Sequence, residues 1–391
     1  MPKNKKQNNV FWFGVISYFT DISTHIIKPI LPIFFQETLG INKAFIGVIE
    51  GVAESFSNFM KVVAGYVSDK IKKRKIFIIL GYGFPAFMKP LFAISSGWIQ
   101  ILFLRLFERS GKGFREPPRD ALLAASTEKK HFGEAFGFQR MMNTFGAVTG
   151  VIILTIFLYF MPGNYRPLFY IAFIPGLISV VFAFAKVKEK PHKQEKKPID
   201  FKKVAHLPKR YKFFLVPTFF LAIGNMSYAF FILRAQDLGL SIAFIPLFYL
   251  LYTISYATGA LPAGKLADKI GEIPVLIMGN LFFVLSCILF AIEIPHEMSW
   301  IAFLFYGLFF AFNIGVAKAY ISGIVKPELR ATAVGIHNSI IGLCALPASA
   351  IVGFLWDSFN ATVAFGYGAV LAGISTILYL ALPISSKVRE R

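Results

Sequence analysis

Between residues 10 and 382 the sequence is a succession of about twelve apolar runs, each near the ~20 residues that carry a helix across a ~30 Å hydrocarbon core. In hydrocarbon every backbone N–H and C=O must be satisfied within the protein, which leaves helices and closed barrels. The runs do not alternate apolar with polar residues as barrel strands do, so the chain reads as an all-α polytopic membrane protein. Composition agrees: 56% of the 391 residues are hydrophobic, 16% are charged and the mean hydropathy is +0.61. A soluble domain carries about a quarter charged residues.

The net charge of +20 would suit a nucleic-acid partner if it formed one basic face. Instead Lys and Arg gather at 1–7, 70–75, 186–212 and 387–391, all on one side once the runs are threaded through a bilayer. The opposite loops carry Glu37, Glu293, Glu297 and Asp357, with Lys43 and Arg166 as the few cations. Positive-inside bias then places both termini and the long central loop in the cytoplasm, with membrane lipids as surroundings and no nucleic acid as partner. The first run is long, charged at its centre and without a small-residue cleavage site, so it reads as a retained helix rather than a secretory signal. Cys287 and Cys344 both fall within expected helices, and no disulfide framework is implied.

Helices are expected near 10–37, 43–69, 75–96, 98–116, 133–160 and 166–186, then near 213–236, 242–267, 273–293, 299–322, 329–356 and 361–383. The segment 186–212 is polar, basic and broken by Pro191, Pro198 and Pro208. The division is therefore an amino-terminal six-helix bundle (1–185), a basic linker (186–212) and a carboxy-terminal six-helix bundle (213–391). Two anchors recur at nearly one offset. Gly65, Asp69 and Lys70 follow the second helix as Gly264, Asp268 and Lys269 follow the eighth, and Gly137 opens the fifth as Gly335 opens the eleventh. Duplication of one half accounts for both.

The repeated G-x-x-x-D-[RK] element resembles motif A of the major facilitator superfamily, carried first by Gly65, Asp69, Lys70 and Arg74 and again by Gly264, Asp268, Lys269 and Gly271. The first copy has Ile71 and Lys72 where the pattern usually has a glycine. The resemblance implies two pseudo-symmetric bundles and a role for these residues in stabilising the outward-facing state from the cytoplasmic side. Independently of the name, Gly65 is expected to allow close helix approach, and Asp69, at a helix end that disfavours an anion, needs donors. The string RSGKGFREPPRDALLAAS, with FGFQR and LPASAIVGFLWD, is similar to a subgroup of prokaryotic facilitators. Arg105 to Gly113 resembles the R-x-x-x-G-x-G motif loosely, with Phe107 at its arginine position.

Charges within the apolar runs are the candidate functional residues. Asp21, His25 and Lys28 form a stripe by helical spacing, as do Glu50, Glu54, Ser57, Asn58 and Lys61 on the second helix. Each charge in hydrocarbon costs roughly 3 kcal/mol or more unless it faces a partner or a watery cavity. Asp21, His25, Glu50 and Glu54 are expected to carry protons. Lys28, Lys61, Arg105, Arg109 and Arg140 are expected to hold an anion, guanidinium forks matching carboxylate and phosphate. Asn225, Asn313 and His337 are expected to line the opposite wall. Lys89 and Arg234 lie near expected outer ends and read as snorkelling residues. The same charges could instead form a structural salt-bridge network.

The reading is of a monomeric secondary transporter, with no catalytic set, metal or cofactor, in the bacterial plasma (inner) membrane. It moves a small anionic or zwitterionic organic solute by alternating access on a proton gradient, as symport or antiport. Proton-driven efflux of amphipathic drugs is the alternative, followed by divalent metal transport through Asp21 and His25, which the neighbouring cations oppose.

Overall fold

The computed structural model describes residues 8–71, 73–128, 131–189, 207–326 and 329–382, which are helical nearly throughout, with no strand among them. Twelve helical passes follow in order. Helix 1 is Asn8–Ile27, prolonged by the short turns Leu31–Ile33 and Phe34–Thr38. Helices 2 to 6 are Lys43–Ile71, Lys75–Ala93, Trp98–Ala125, Phe132–Phe160 and Arg166–Lys186. Helix 7 is Lys209–Gly224 and, after a break, Tyr228–Asp237; helices 8 to 12 are Ile245–Ile270, Glu272–Ala291, Ser299–Ile324, Arg330–Ser358 and Ala361–Leu380. Nine of these passes are apolar and long enough to cross a membrane by themselves. The other three are helices 2 and 4, which carry more charged residues than any other pass, and helix 8.

Two elements differ from expectation. Helix 4 does not stop at 116: Pro117 and Pro118 remain inside it and it runs to Ala125. Each proline removes one N–H from the ladder, yet the rest of the helix persists through them. Helix 7 is broken where Asn225 adopts an extended conformation, and Ser227 restarts it, its Oγ accepting from the Ala229 amide at 3.3 Å.

The described residues separate into two compact units, one from those within 8–41, 52–189 and 242–246, the other from those within 42–51, 207–241 and 247–382. Most of the basic segment 186–212 lies outside the described residues. In the first unit helix 1 packs on helices 5 and 6, and helix 3 on helices 4 and 6. In the second, helix 7 packs on 11 and 12, and helix 9 on 10 and 12. Adding six to each number of the first pattern gives the second, which is the packing signature of a duplicated half.

Small residues set these crossings. Gly146 and Gly150 form a G-x-x-x-G step on helix 5 against the Tyr18 and Ile22 carbonyls of helix 1. Gly47 and Gly51 form another, facing Ser349 and Leu346 of helix 11 within the second unit. There Asp357 accepts from the amides of Lys43 (3.3 Å) and Ala44 (2.7 Å), capping helix 2, while Lys43 pairs with Asp237 at 2.8 Å.

Candidate transport site

The charged residues of the first unit converge on helix 4. Arg105, Glu108, Arg109, Lys112, Arg115, Glu116 and Arg119 recur at helical spacing along it. Arg105 is wholly buried and bonded to Glu108. Helix 2 answers this stripe: Glu54 lies 3.9 Å from Arg109, and Lys61 is 3.1 Å from Glu116, which also meets Lys112 at 3.8 Å. Arg119 pairs with Asp120 at 2.9 Å. The expected residues Glu54, Lys61, Arg105 and Arg109 are thus brought together. Lys112, Arg115, Glu116 and Arg119 belong to the same set: the first three fall inside the expected helix 4 on the same three-and-four spacing as Arg105 and Arg109, and only Arg119 lay beyond its expected end, where the unbroken spacing through the prolines was the available signal.

Helix 1 supplies the facing residues. The cations acting most strongly on Asp21 are Arg115, then Arg119 and Lys112, with Lys28 next. His25 turns its Nδ1 to the backbone carbonyl of Asp21 at 2.9 Å. The G-x-x-x-G step of helix 5 backs both residues: a Cβ on Gly146 would fall 3.1 Å from that of Asp21, and one on Gly150 3.1 Å from that of His25. Lys28 acts on Asp21, His25 and Glu54.

Lys89 overturns its expected placement. It does not snorkel; it is 1% exposed, and its ammonium donates to Ser23 Oγ, which donates in turn to the Ala172 carbonyl. Gly176 makes room for this link between helices 3, 1 and 6, since a Cβ there would come within 2.8 Å of Ser23 Oγ. Glu108 and Asp21 are the acids acting on Lys89. Arg234 is also buried, with Nε donating to the Phe290 carbonyl at 2.8 Å, so it caps the carboxyl end of helix 9. Arg140 is exposed, and Glu50 is buried in the segment that groups with the second unit.

The second unit holds polar but uncharged groups. Asn225 sits at the break of helix 7. Asn313 donates to the Phe309 carbonyl at 3.1 Å and packs against Gly279, and His337 stacks on Phe214 with centroids 5.8 Å apart. Beside the break, Tyr228, Tyr249, Tyr252 and Tyr306 form a chain of rings at 5.6, 5.5 and 5.1 Å. Tyr306 donates at 3.1 Å to the carbonyl of Met226. Among the described residues no group of three or more His, Cys, Asp or Glu is placed to hold a metal ion.

The two motif A copies are unequal. In the first, Asp69 and Arg74 form a buried pair at 2.9 Å, while Lys70 is exposed. In the second, Asp268 and Lys269 are exposed, and Gly271 closes helix 8 in the left-handed region at φ 93°, its N–H donating to the Ala267 carbonyl. Gly65 is not the tight contact it was expected to be: a Cβ there would sit 3.6 Å from Pro117, an ordinary distance, and none is near Gly264. The close crossing of helices 2 and 4 is at Gly113, where a Cβ would lie 2.6 Å from that of Met60.

Comparison with known proteins agrees with this architecture. The chain is 36% identical over 378 residues to an MFS-type transporter of Methanocaldococcus jannaschii, covering 95% of this chain and 94% of that one. It is 27% identical over 187 residues to a probable 4-methylmuconolactone transporter of Cupriavidus pinatubonensis, covering 47% of this chain and 43% of that one. Its fold resembles that of the nucleoside transporter NupG, with a TM-score of 0.81 at 16% identity over 96% of this chain and 98% of that one. The family model described as Major Facilitator Superfamily matches residues 11–234 and 214–391. With twelve helical passes in two repeated sets of packing partners, a paired motif A and these matches, the chain belongs to the major facilitator superfamily of transporters.

Proposed function

We propose that this facilitator moves a small organic anion or zwitterion by alternating access, coupled to protons. The observation that carries the reading is the polar set of the first unit, in which Lys28, Lys61, Lys89, Arg105, Arg109, Lys112, Arg115 and Arg119 outnumber Asp21, Glu54, Glu108, Glu116 and Asp120. An excess of cations in a low-dielectric bundle favours a solute that brings negative charge. Carboxylates among those cations can load and release protons as their neighbours rearrange, with Asp21 and Glu54 as the carriers and the proton gradient as driving force. The buried Asp69–Arg74 pair is the latch that biases the outward-facing state; the exposed Asp268 and Lys269 contribute less. On this reading the protein works as a monomer in a plasma membrane, with both termini cytoplasmic.

Reconstituted vesicles loaded with labelled carboxylates, with a pH gradient imposed in either sense, test this. Accumulation that follows the gradient and collapses with a protonophore is the expected result; flux indifferent to the gradient rules out proton coupling. The tyrosine chain beside helix 7 favours a second reading, efflux of amphipathic compounds. Gradient-driven exclusion of a hydrophobic dye, without carboxylate flux, would select it.

A further inference from the structure

Helix 3 contains Pro85, which has no N–H to give the carbonyl four residues before it. That carbonyl, Gly81 O, accepts instead from Arg115 Nη1 of helix 4 at 3.2 Å. The crossing is close enough to fix this arrangement: a Cβ on Gly81 would meet that of Arg115 at 2.5 Å and the carbonyl of Gly111 at 2.7 Å. The Arg115 guanidinium is thereby laid over the Tyr82 ring, 4.9 Å from its centroid. Two polar atoms are left over. Arg115 Nε and the Tyr82 hydroxyl are both buried and have no hydrogen-bond partner, and Tyr82 is 2% exposed. Buried donors without partners, one on a guanidinium and one on the ring that it covers, are costly unless something accepts from them.

We propose that Arg115 and Tyr82 form a buried subsite for the carboxylate of a small solute, with Arg119 adding charge from the next turn. The inference rests on the organic-anion reading above and names the residues that read the anion. A carboxylate fits the donor set: it is planar, accepts from a guanidinium edge and a phenol together, and brings one negative charge. A dianion fits less well, because Asp21 faces the same cations and Glu116 and Asp120 already offset their neighbours. Asp21, on which Arg115 acts more strongly than any other cation, would favour a solute that carries an amino group as well as its carboxylate.

The test is the melting temperature of the purified full-length protein in benzoate, glycine, inorganic phosphate and chloride at equal ionic strength. Benzoate or glycine should stabilise the wild type above chloride and phosphate. Tyr82→Phe, which keeps the ring and removes only the hydroxyl, should bind about tenfold more weakly, and Arg115→Gln should lose the effect. If Arg115→Gln fails to fold, Tyr82→Phe decides alone. Carboxylates that stabilise wild type and Tyr82→Phe equally overturn the subsite, as does a wild type indifferent to them; phosphate outperforming carboxylate overturns the ligand class. Vesicle flux is a separate readout: carboxylate transport with an unaffected Tyr82→Phe leaves the functional reading standing, whereas carboxylate binding without flux removes that reading and leaves the subsite.

Discussion

Replacing Lys89 by Met separates stability from function at one buried charge. The lysine is 1% exposed, and its ammonium is held through Ser23 to the Ala172 carbonyl. The substitution forfeits one charge-assisted hydrogen bond, worth about 1.5–3 kcal/mol net in water-soluble proteins and about 0.6 kcal/mol for average polar contacts between membrane helices. It also removes an ammonium from an apolar junction, and exchanging buried ions for apolar groups of similar volume is often neutral or stabilising by about 1–4 kcal/mol. Ser23 keeps its acceptor at Ala172, and Glu108 keeps Arg105, so no partner is left wholly exposed to the loss. The expected outcome is a protein whose unfolding free energy in mixed micelles lies within about 1 kcal/mol of wild type or above it, with transport strongly reduced. Lys89→Ala should instead lose about 2–5 kcal/mol to the cavity it leaves. A double cycle of Lys89→Met with Ser23→Ala should return a coupling of about 0.5–3 kcal/mol. If Lys89→Met unfolds about 3 kcal/mol more easily while flux per folded molecule is unchanged, the charge is a structural ion and the reasoning fails.

The unequal motif A copies make a paired prediction. Asp69→Asn strands a buried Arg74 and should cost about 3–5 kcal/mol in micelle unfolding, whereas Asp268→Asn on an exposed helix end should stay within about 0.5 kcal/mol. Glycines can be sorted the same way. Gly113→Ala, pressed against Met60, should destabilise by about 1–3 kcal/mol, while Gly335→Ala, with nothing near its added methyl, should gain about 0.5–1 kcal/mol from helix propensity. Tyr165, in the turn before helix 6, donates to Glu37 at 2.5 Å, and burial followed by that carboxylate pushes its hydroxyl well above the usual tyrosine range. A raised folded value means the contribution is complete below the unfolded value of about 10 and is lost as pH rises beyond it. Wild type should therefore lose melting temperature above about pH 10 more steeply than Tyr165→Phe, and parallel profiles would discard the bond as a source of stability.

What could be read directly from sequence was whatever depends on length and period. Runs near twenty apolar residues marked the twelve passes because backbone satisfaction in lipid admits no shorter solution. Spacing put Glu54 and Lys61 on one face of helix 2 and Arg105 and Arg109 on one face of helix 4, since three-and-four periodicity survives any detail of packing; that the two faces meet comes from the fold. Placement along the depth of a helix was less legible. Lys89 stood near an expected boundary, where snorkelling and burial look alike in sequence, and only the meeting of Ser23, Ala172 and Gly176 from two other helices decides between them. Proline misled at helix 4 for a related reason: it reports a missing hydrogen bond at one carbonyl, not the end of a helix.

That same property of proline ties the fold to the site. Pro85 frees the Gly81 carbonyl, the glycine brings helix 4 close, and Arg115 takes the carbonyl at the cost of leaving its own Nε and the Tyr82 hydroxyl without partners. A helix designed only for stability would have Ala at position 85 and no need of an arginine there. On this account Pro85→Ala should restore the helical bond, release Nη1 from Gly81 and loosen Arg115, raising unfolding stability while weakening carboxylate-dependent stabilisation. Melting curves of Pro85→Ala with and without benzoate measure both effects together. A variant that is more stable and equally responsive to benzoate would show that the proline serves packing alone.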